Sequence, residues 1–126
     1  MSCKKTHYHW MKLNLLNSVK NEYLCHGDLH LENIIQNGND WLAIDPKGIM
    51  GEMAFEAAAF YLLDNGKLID LSTIELKIVN RVKKLSTALD IDSNRLLQWI
   101  FLRIIISAQW FVEERCCGSI SFMFKT

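Results

Sequence analysis

Cys25-His26-Gly27-Asp28-Leu29-His30-Leu31-Glu32-Asn33 and Trp41-Leu42-Ala43-Ile44-Asp45-Pro46-Lys47-Gly48 decide how this chain is read. Between them lies Ile34-Ile35-Gln36-Asn37-Gly38-Asn39-Asp40. Asn-Gly between two β-prone runs is a strong hairpin signal. A turn centred on Asn39 sets Leu42 opposite Gln36, Ala43 opposite Ile35 and Ile44 opposite Ile34. The same count sets Asp45 opposite Asn33. Opposed residues share a face with Cβ atoms about 5 Å apart, so this register brings an Asn and an Asp together at the open end. A slip of one residue separates them.

Outward from the hairpin the signals change. Tyr23-Leu24-Cys25 reads as a short strand entering the His-Gly-Asp loop. Residues 1–10 read as irregular. Residues 11–21 read as a short helix, with Leu13, Leu16 and Val19 three apart. Pro46, Gly48 and Gly51 break the chain after the hairpin. Residues 52–63 read as a helix stopped by Asn65-Gly66. Ser72-Thr73-Ile74-Glu75 has the form of a capping box for a helix to about Leu89. Asp92 or Ser93 caps a last long helix to about Glu114. The expected fold class is α+β and mostly helical, a single domain over residues 1–126, with a small β-hairpin carrying the site.

Composition narrows the function. A chain of 126 residues with half its residues apolar can bury one core. The 14 basic and 14 acidic residues cancel, which argues against nucleic acid or an anionic membrane as a partner. Charge is nonetheless uneven. Asp28, Glu32, Asp40, Asp45, Glu52 and Glu56 crowd one segment with Lys47 as its single cation. Oxygen-rich segments suit hard cations. Cys3, Cys25, Cys116 and Cys117 form no Cys-x-x-Cys pair and fit a reducing cytoplasm. No secretory leader is expected after Met1. The apolar run 96–112 contains Gln98, Arg103 and Gln109, and reads as a buried helix rather than a membrane span.

The residue set itself points to phosphoryl transfer, which needs mainly positioning and charge neutralisation. Asp28 is the candidate catalytic base, accepting a hydrogen bond from an acceptor hydroxyl. Asn33 and Asp45 are candidate Mg²⁺ ligands, since Mg²⁺ usually takes one or two carboxylates with phosphate and water. His26 and His30 are expected to support the loop, and Glu56 to accept loop amides from the start of its helix. Lys47 is a candidate phosphate contact or a plain turn residue. Trp41 is expected to pack on the hairpin. A rival set, His26, Asp28 and His30 as a metallohydrolase centre, leaves Asn33 and Asp45 unexplained.

At these residues the chain resembles the aminoglycoside phosphotransferase group of the kinase-like superfamily. His26-Gly27-Asp28-Leu29-His30 with Asn33 is similar to that group's catalytic loop. The wording Trp41 to Gly48 leans toward its streptomycin 6-kinase-like and hydroxyurea-resistance branch. The match covers about residues 24–60. Two departures stand out: Glu56 where Asp is usual, and Glu32 where a small or amide residue is common. The resemblance implies the C-terminal lobe of a protein-kinase-like fold, with ATP as co-substrate and Mg²⁺ as cofactor. It also implies phosphorylation of a hydroxyl on an aminoglycoside-like antibiotic such as streptomycin. Only 27 residues precede Asp28. That leads us to expect that the N-terminal lobe is absent and activity alone is low. The alternative expectation is a non-catalytic, kinase-derived binding module.

Overall fold

A computed structural model describes residues 3–60 and 71–116 of the chain. Helix α1 spans Cys3–Asn17. It begins well before residue 11, so the expectation of an irregular start is corrected. His7-Tyr8-His9-Trp10 shows no apolar period, but Leu15 is 2% exposed and anchors the core with Met11 packed beside it. Once that face is docked, extending a helix upstream adds one hydrogen bond per residue fixed.

Strand β1 (Tyr23–Cys25) follows, then a single 3-10 turn at Leu31–Asn33. Strands β2 (Ile34–Asn37) and β3 (Asp40–Ala43) form the expected hairpin. Its register differs from the expected one: Ile34 pairs with Ala43, Ile35 with Leu42, Gln36 with Trp41 and Asn37 with Asp40. The loop is therefore the two residues Gly38-Asn39. Gly38 takes φ 63°, and Asn39 is not among the positive-φ residues. A glycine with positive φ at the first central position is the type II′ pattern, whose twist matches that of the flanking strands. Asn33 thus faces Ile44, with the Ile44 N–H donated to the Asn33 carbonyl at 2.9 Å. Trp41 is 68% exposed, so the expectation that it packs on the hairpin is also corrected.

A second sheet escaped the sequence reading. Strand β4 (Ile49–Gly51) pairs antiparallel with β1, setting Tyr23 against Gly51, Leu24 against Met50 and Cys25 against Ile49. The flanking Pro46, Gly48 and Gly51 had read only as breakers. Helix α2 (Met53–Ala57) then runs into a 3-10 turn at Ala58–Phe60. The helix expected over 52–63 is shorter, and residues 61–63 with the Asn65-Gly66 stop lie outside the described residues.

Helix α3 (Leu71–Leu89) already includes Ser72, so Ser72 is not its N-cap. It ends on Asp90 at φ 53°, with the Ile91 N–H reaching back to the Ser86 carbonyl at 3.1 Å. This is the six-to-one closure of a Schellman ending, made here with Asp rather than Gly. Helix α4 (Ser93–Cys116) starts on Asp92, whose Oδ2 accepts the Arg95 N–H at 2.8 Å, a standard N-cap bond. Helix α4 touches α1, α2 and α3, and Leu96, Trp99, Ile100 and Leu102 supply much of the core. Ala57 and Ala58 are 2% and 0% exposed. Side chains this small let α2 lie close to α4.

Candidate active site

The site forms where the β1-to-β2 loop meets the turn after β3. Gly27 makes the closest approach. It sits at φ 85°, and a Cβ there would lie 2.3 Å from Ile49 Cγ1 and 2.6 Å from Ile49 Cδ1. Glycine alone tolerates both the backbone angle and the contact. Its N–H is donated to Glu56 Oε2 at 3.2 Å, so α2 supports the loop as expected. The other oxygen, Glu56 Oε1, is buried with no hydrogen-bond partner.

His26 joins the two halves. Its Nδ1 accepts the Asp28 N–H at 3.2 Å. The ring proton therefore sits on Nε2 and is donated to the Ile44 carbonyl at 2.6 Å. The Lys47 N–H returns to the His26 carbonyl at 2.8 Å. One imidazole thus fixes the Asp28 loop against the residue preceding Asp45. With both ring nitrogens committed to backbone, His26 has no lone pair for a metal. Among the described residues, no three His, Cys, Asp or Glu side chains form a group that could hold a metal ion. The metallohydrolase set His26, Asp28 and His30 therefore does not assemble.

Asn33 is the one buried polar residue among the described ones, at 8% exposure. Its Nδ2 donates to the Asp28 carbonyl at 2.8 Å and approaches His30 Nε2 at 3.3 Å. Both contacts use the amide nitrogen, which leaves the amide oxygen open. Asp28 Oδ2 lies 3.5 Å from Lys47 Nζ and 3.6 Å from His30 Nε2. Asp45 is exposed and sits at φ 54°, a left-handed angle uncommon outside glycine. Such an angle lifts the chain out of the β ladder. Asp45 joins the cluster through its neighbours Ile44 and Lys47, and its carboxylate makes no hydrogen bond or ion pair among the described residues. The expected direct opposition of Asn33 and Asp45 fails by one residue. Each residue keeps oxygen with no hydrogen-bond partner among the described residues, of the hard type Mg²⁺ takes, but the register does not set the two side by side.

A chain of 112 matched residues decides the relationship: the family described as aminoglycoside/hydroxyurea antibiotic resistance kinase matches residues 4–115. The chain belongs to this family. Among curated relatives, streptomycin 3''-kinase of Klebsiella pneumoniae is 36% identical over 94 residues, covering 71% of this chain and 35% of its own length. Streptomycin 6-kinase of Streptomyces griseus is 32% identical over 92 residues, covering 71% of this chain and 29% of its own length. The chain thus spans about a third of the curated relatives it matches. No solved structure matches it significantly. The family match takes in α3 and α4 as well as the segment that carries Asp28.

The sequence reading missed a second polar centre in this family member. Glu52, the residue before α2, accepts Arg95 Nε at 2.9 Å and Arg95 Nη2 at 2.6 Å, and also the Trp99 indole N–H. Arg95 further donates to Ser18 Oγ at 2.6 Å and to the Leu15 carbonyl at 2.7 Å. This knot ties α1, α2 and α4 together. It borders a cleft of about 520 Å³ lined by Ser18, Tyr23, Glu52, Asp92 and Arg95 among others, which shares no residue with the Asp28 cluster. Partners 43 and 47 residues apart leave no local pattern in sequence. Cys25 is buried, and burial first, then the Glu56 carboxylate, pushes its thiol pKa up, against a Gly51 backbone bond that lowers it. Among the described residues, no helix is long and apolar enough to cross a membrane.

Proposed function

We propose that this chain carries the acceptor- and metal-binding residues of an ATP-dependent phosphotransferase, folded as the C-terminal lobe of a kinase-like protein. The acceptor is a hydroxyl of an aminoglycoside-like antibiotic such as streptomycin. The observation that carries the reading is the Asn33 amide, anchored through its nitrogen to the catalytic loop with its oxygen left open. In this reading Asp28 aligns the acceptor hydroxyl and takes its proton. Asn33 and Asp45 would hold Mg²⁺, which when bound neutralises charge on the nucleotide phosphates. His26 and Glu56 keep the Asp28 loop in register with Asp45. His30 lies against both Asp28 and Asn33 and limits their rotation. The reaction is assigned to the cytoplasm, where ATP is available and Cys25 stays reduced.

The test is γ-phosphate transfer from ATP to streptomycin by the full chain in Mg²⁺, expected to be slow for this chain by itself, with Mg²⁺-dependent ATP binding measured alongside. Transfer lost in Asp28→Asn and ATP binding lost in Asp45→Asn support the assignment. Transfer undiminished by Asp28→Asn overturns it. A second reading, a kinase-derived binding module, is favoured by the exposure of Leu24 at 75% and its cross-strand partner Met50 at 58%. Concentration-independent monomers in light scattering, with no uptake of an apolar dye, count against that reading.

A further inference from the structure

We propose that Lys47 is a catalytic residue whose ammonium bridges Asp28 to the phosphoryl group in transfer and thereby assigns the two Asp28 oxygens different tasks. This rests on the phosphotransferase reading above. Lys47 Nζ lies 3.5 Å from Asp28 Oδ2. His30 Nε2 lies 3.6 Å from the same oxygen, but it also faces the Asn33 amide nitrogen and accepts from it. Lys47 is therefore the standing cation at Oδ2. Oδ1 makes no hydrogen bond or ion pair among the described residues and is left for the acceptor hydroxyl.

The placement of Lys47 is built into the backbone. Its N–H is bonded to the His26 carbonyl at 2.8 Å. Its Cβ lies 3.5 Å from where a Cβ on Gly27 would sit. Pro46 precedes it and restricts the approach of the chain. A flexible surface lysine needs none of this, whereas a lysine serving Asp28 needs its root fixed to the loop that carries Asp28. Both side chains are more than a third exposed, so the ion pair is screened by water and adds little to folding. A compact, mobile ammonium suits a charge that must follow a moving phosphoryl group.

The step balances as follows. The bond from the γ-phosphorus to the bridging oxygen of ATP breaks, and ADP leaves with the electron pair. A bond forms from the acceptor oxygen to phosphorus, and the hydroxyl proton passes to Asp28 Oδ1. Lys47 takes no part in the proton transfer and stands between Oδ2 on one side and the equatorial phosphoryl oxygens on the other.

The full chain is treated with Mg²⁺ and an acyl phosphate of ATP, in which a lysine amine attacks the acyl carbon, forms an amide and releases ATP. Peptide mass spectrometry reads the labelled lysine. Lys47 is expected to label about tenfold faster than any other lysine, as suits a charged contact to phosphate, with excess MgATP and Asp45→Asn each abolishing the preference. MgATP-protected labelling confined to another lysine overturns the Lys47 assignment and leaves the phosphotransferase reading standing. No protected labelling anywhere overturns the nucleotide site and the assignment with it. In a second arm, Lys47→Met weakens MgATP binding at unchanged thermal midpoint, and Lys47→Arg restores most of it. Equal affinity in wild type and Lys47→Met overturns the proposal.

Discussion

Glu52 and Asp28 each face a basic side chain, and the contrast between them separates holding the fold from the proposed chemistry. Glu52 meets Arg95 at 2.6 Å with the two side chains 15% and 20% exposed, and the Trp99 indole N–H is a further donor to it. Asp28 meets Lys47 at 3.5 Å with both more than a third exposed, and keeps one oxygen open. Removing one partner of a desolvated pair strands a charge, while an open pair gives up little. Glu52–Arg95 therefore belongs to the fold. In the proposed function Asp28–Lys47 serves the chemistry, and it is supported by backbone bonds rather than by burial.

The largest expected effect breaks the open side. Asp28→Asn should lower phosphoryl transfer about 10²–10⁴-fold, the usual span for a positioned acid–base group, with its thermal midpoint close to wild type. A midpoint that falls in step with activity would erase the distinction drawn above. On the closed side, Arg95→Met should cost about 3 kcal/mol in urea unfolding, because Glu52 is left without its cation. That is a large share of the 5–15 kcal/mol typical of a domain. Pairing it with Glu52→Met should recover much of the loss, and failure to recover would mean the carboxylate is not the stranded group.

Gly27→Ala probes the border between the regions. The added methyl meets Ile49 and the backbone is held at positive φ, so a loss of about 2 kcal/mol is expected. An accompanying Ile49→Ala change should relieve the steric part only. Smallest is the thiol. Cys25 has its folded pKa raised, so folding favours the neutral thiol. Its contribution is complete below the unfolded pKa, about 8.5, and is lost as pH rises through the folded value. Iodoacetamide at pH 8 should modify native Cys25 far more slowly than the urea-unfolded chain, and Cys25→Ala should flatten the decline of stability above that pH.

The contrast also explains what sequence could disclose. Asp28, Asn33 and Asp45 stand out as candidates in the sequence because phosphoryl transfer would need such groups at short spacing around one turn. Asn37-Gly38 announces the hairpin, yet the register hinged on a single residue, and a positive φ at Gly38 chose a two-residue loop over a turn centred on Asn39. Strand β4 was hidden because Pro46, Gly48 and Gly51 fall within six positions and Gly51 is itself one of its three residues. Its pairing with β1 is a long-range event that local propensity does not encode. The Glu52–Arg95–Trp99 knot was illegible for the same reason: its members lie on separate helices brought together only by the packed core. Helix α3 ended where expected, but on Asp90, where the usual glycine signal is missing.

The tip of the hairpin has a practical consequence. Nothing lies within 4 Å of a side chain added at Gly38, and the surrounding strand residues are exposed. A short peptide tag or a fluorophore-bearing amino acid grafted at Asn39 would project into water while the strands transmit its position to Asn33 and Ile44. That makes the loop a natural attachment point for testing, by energy transfer, whether the proposed nucleotide or acceptor arrives at the other end of the ribbon.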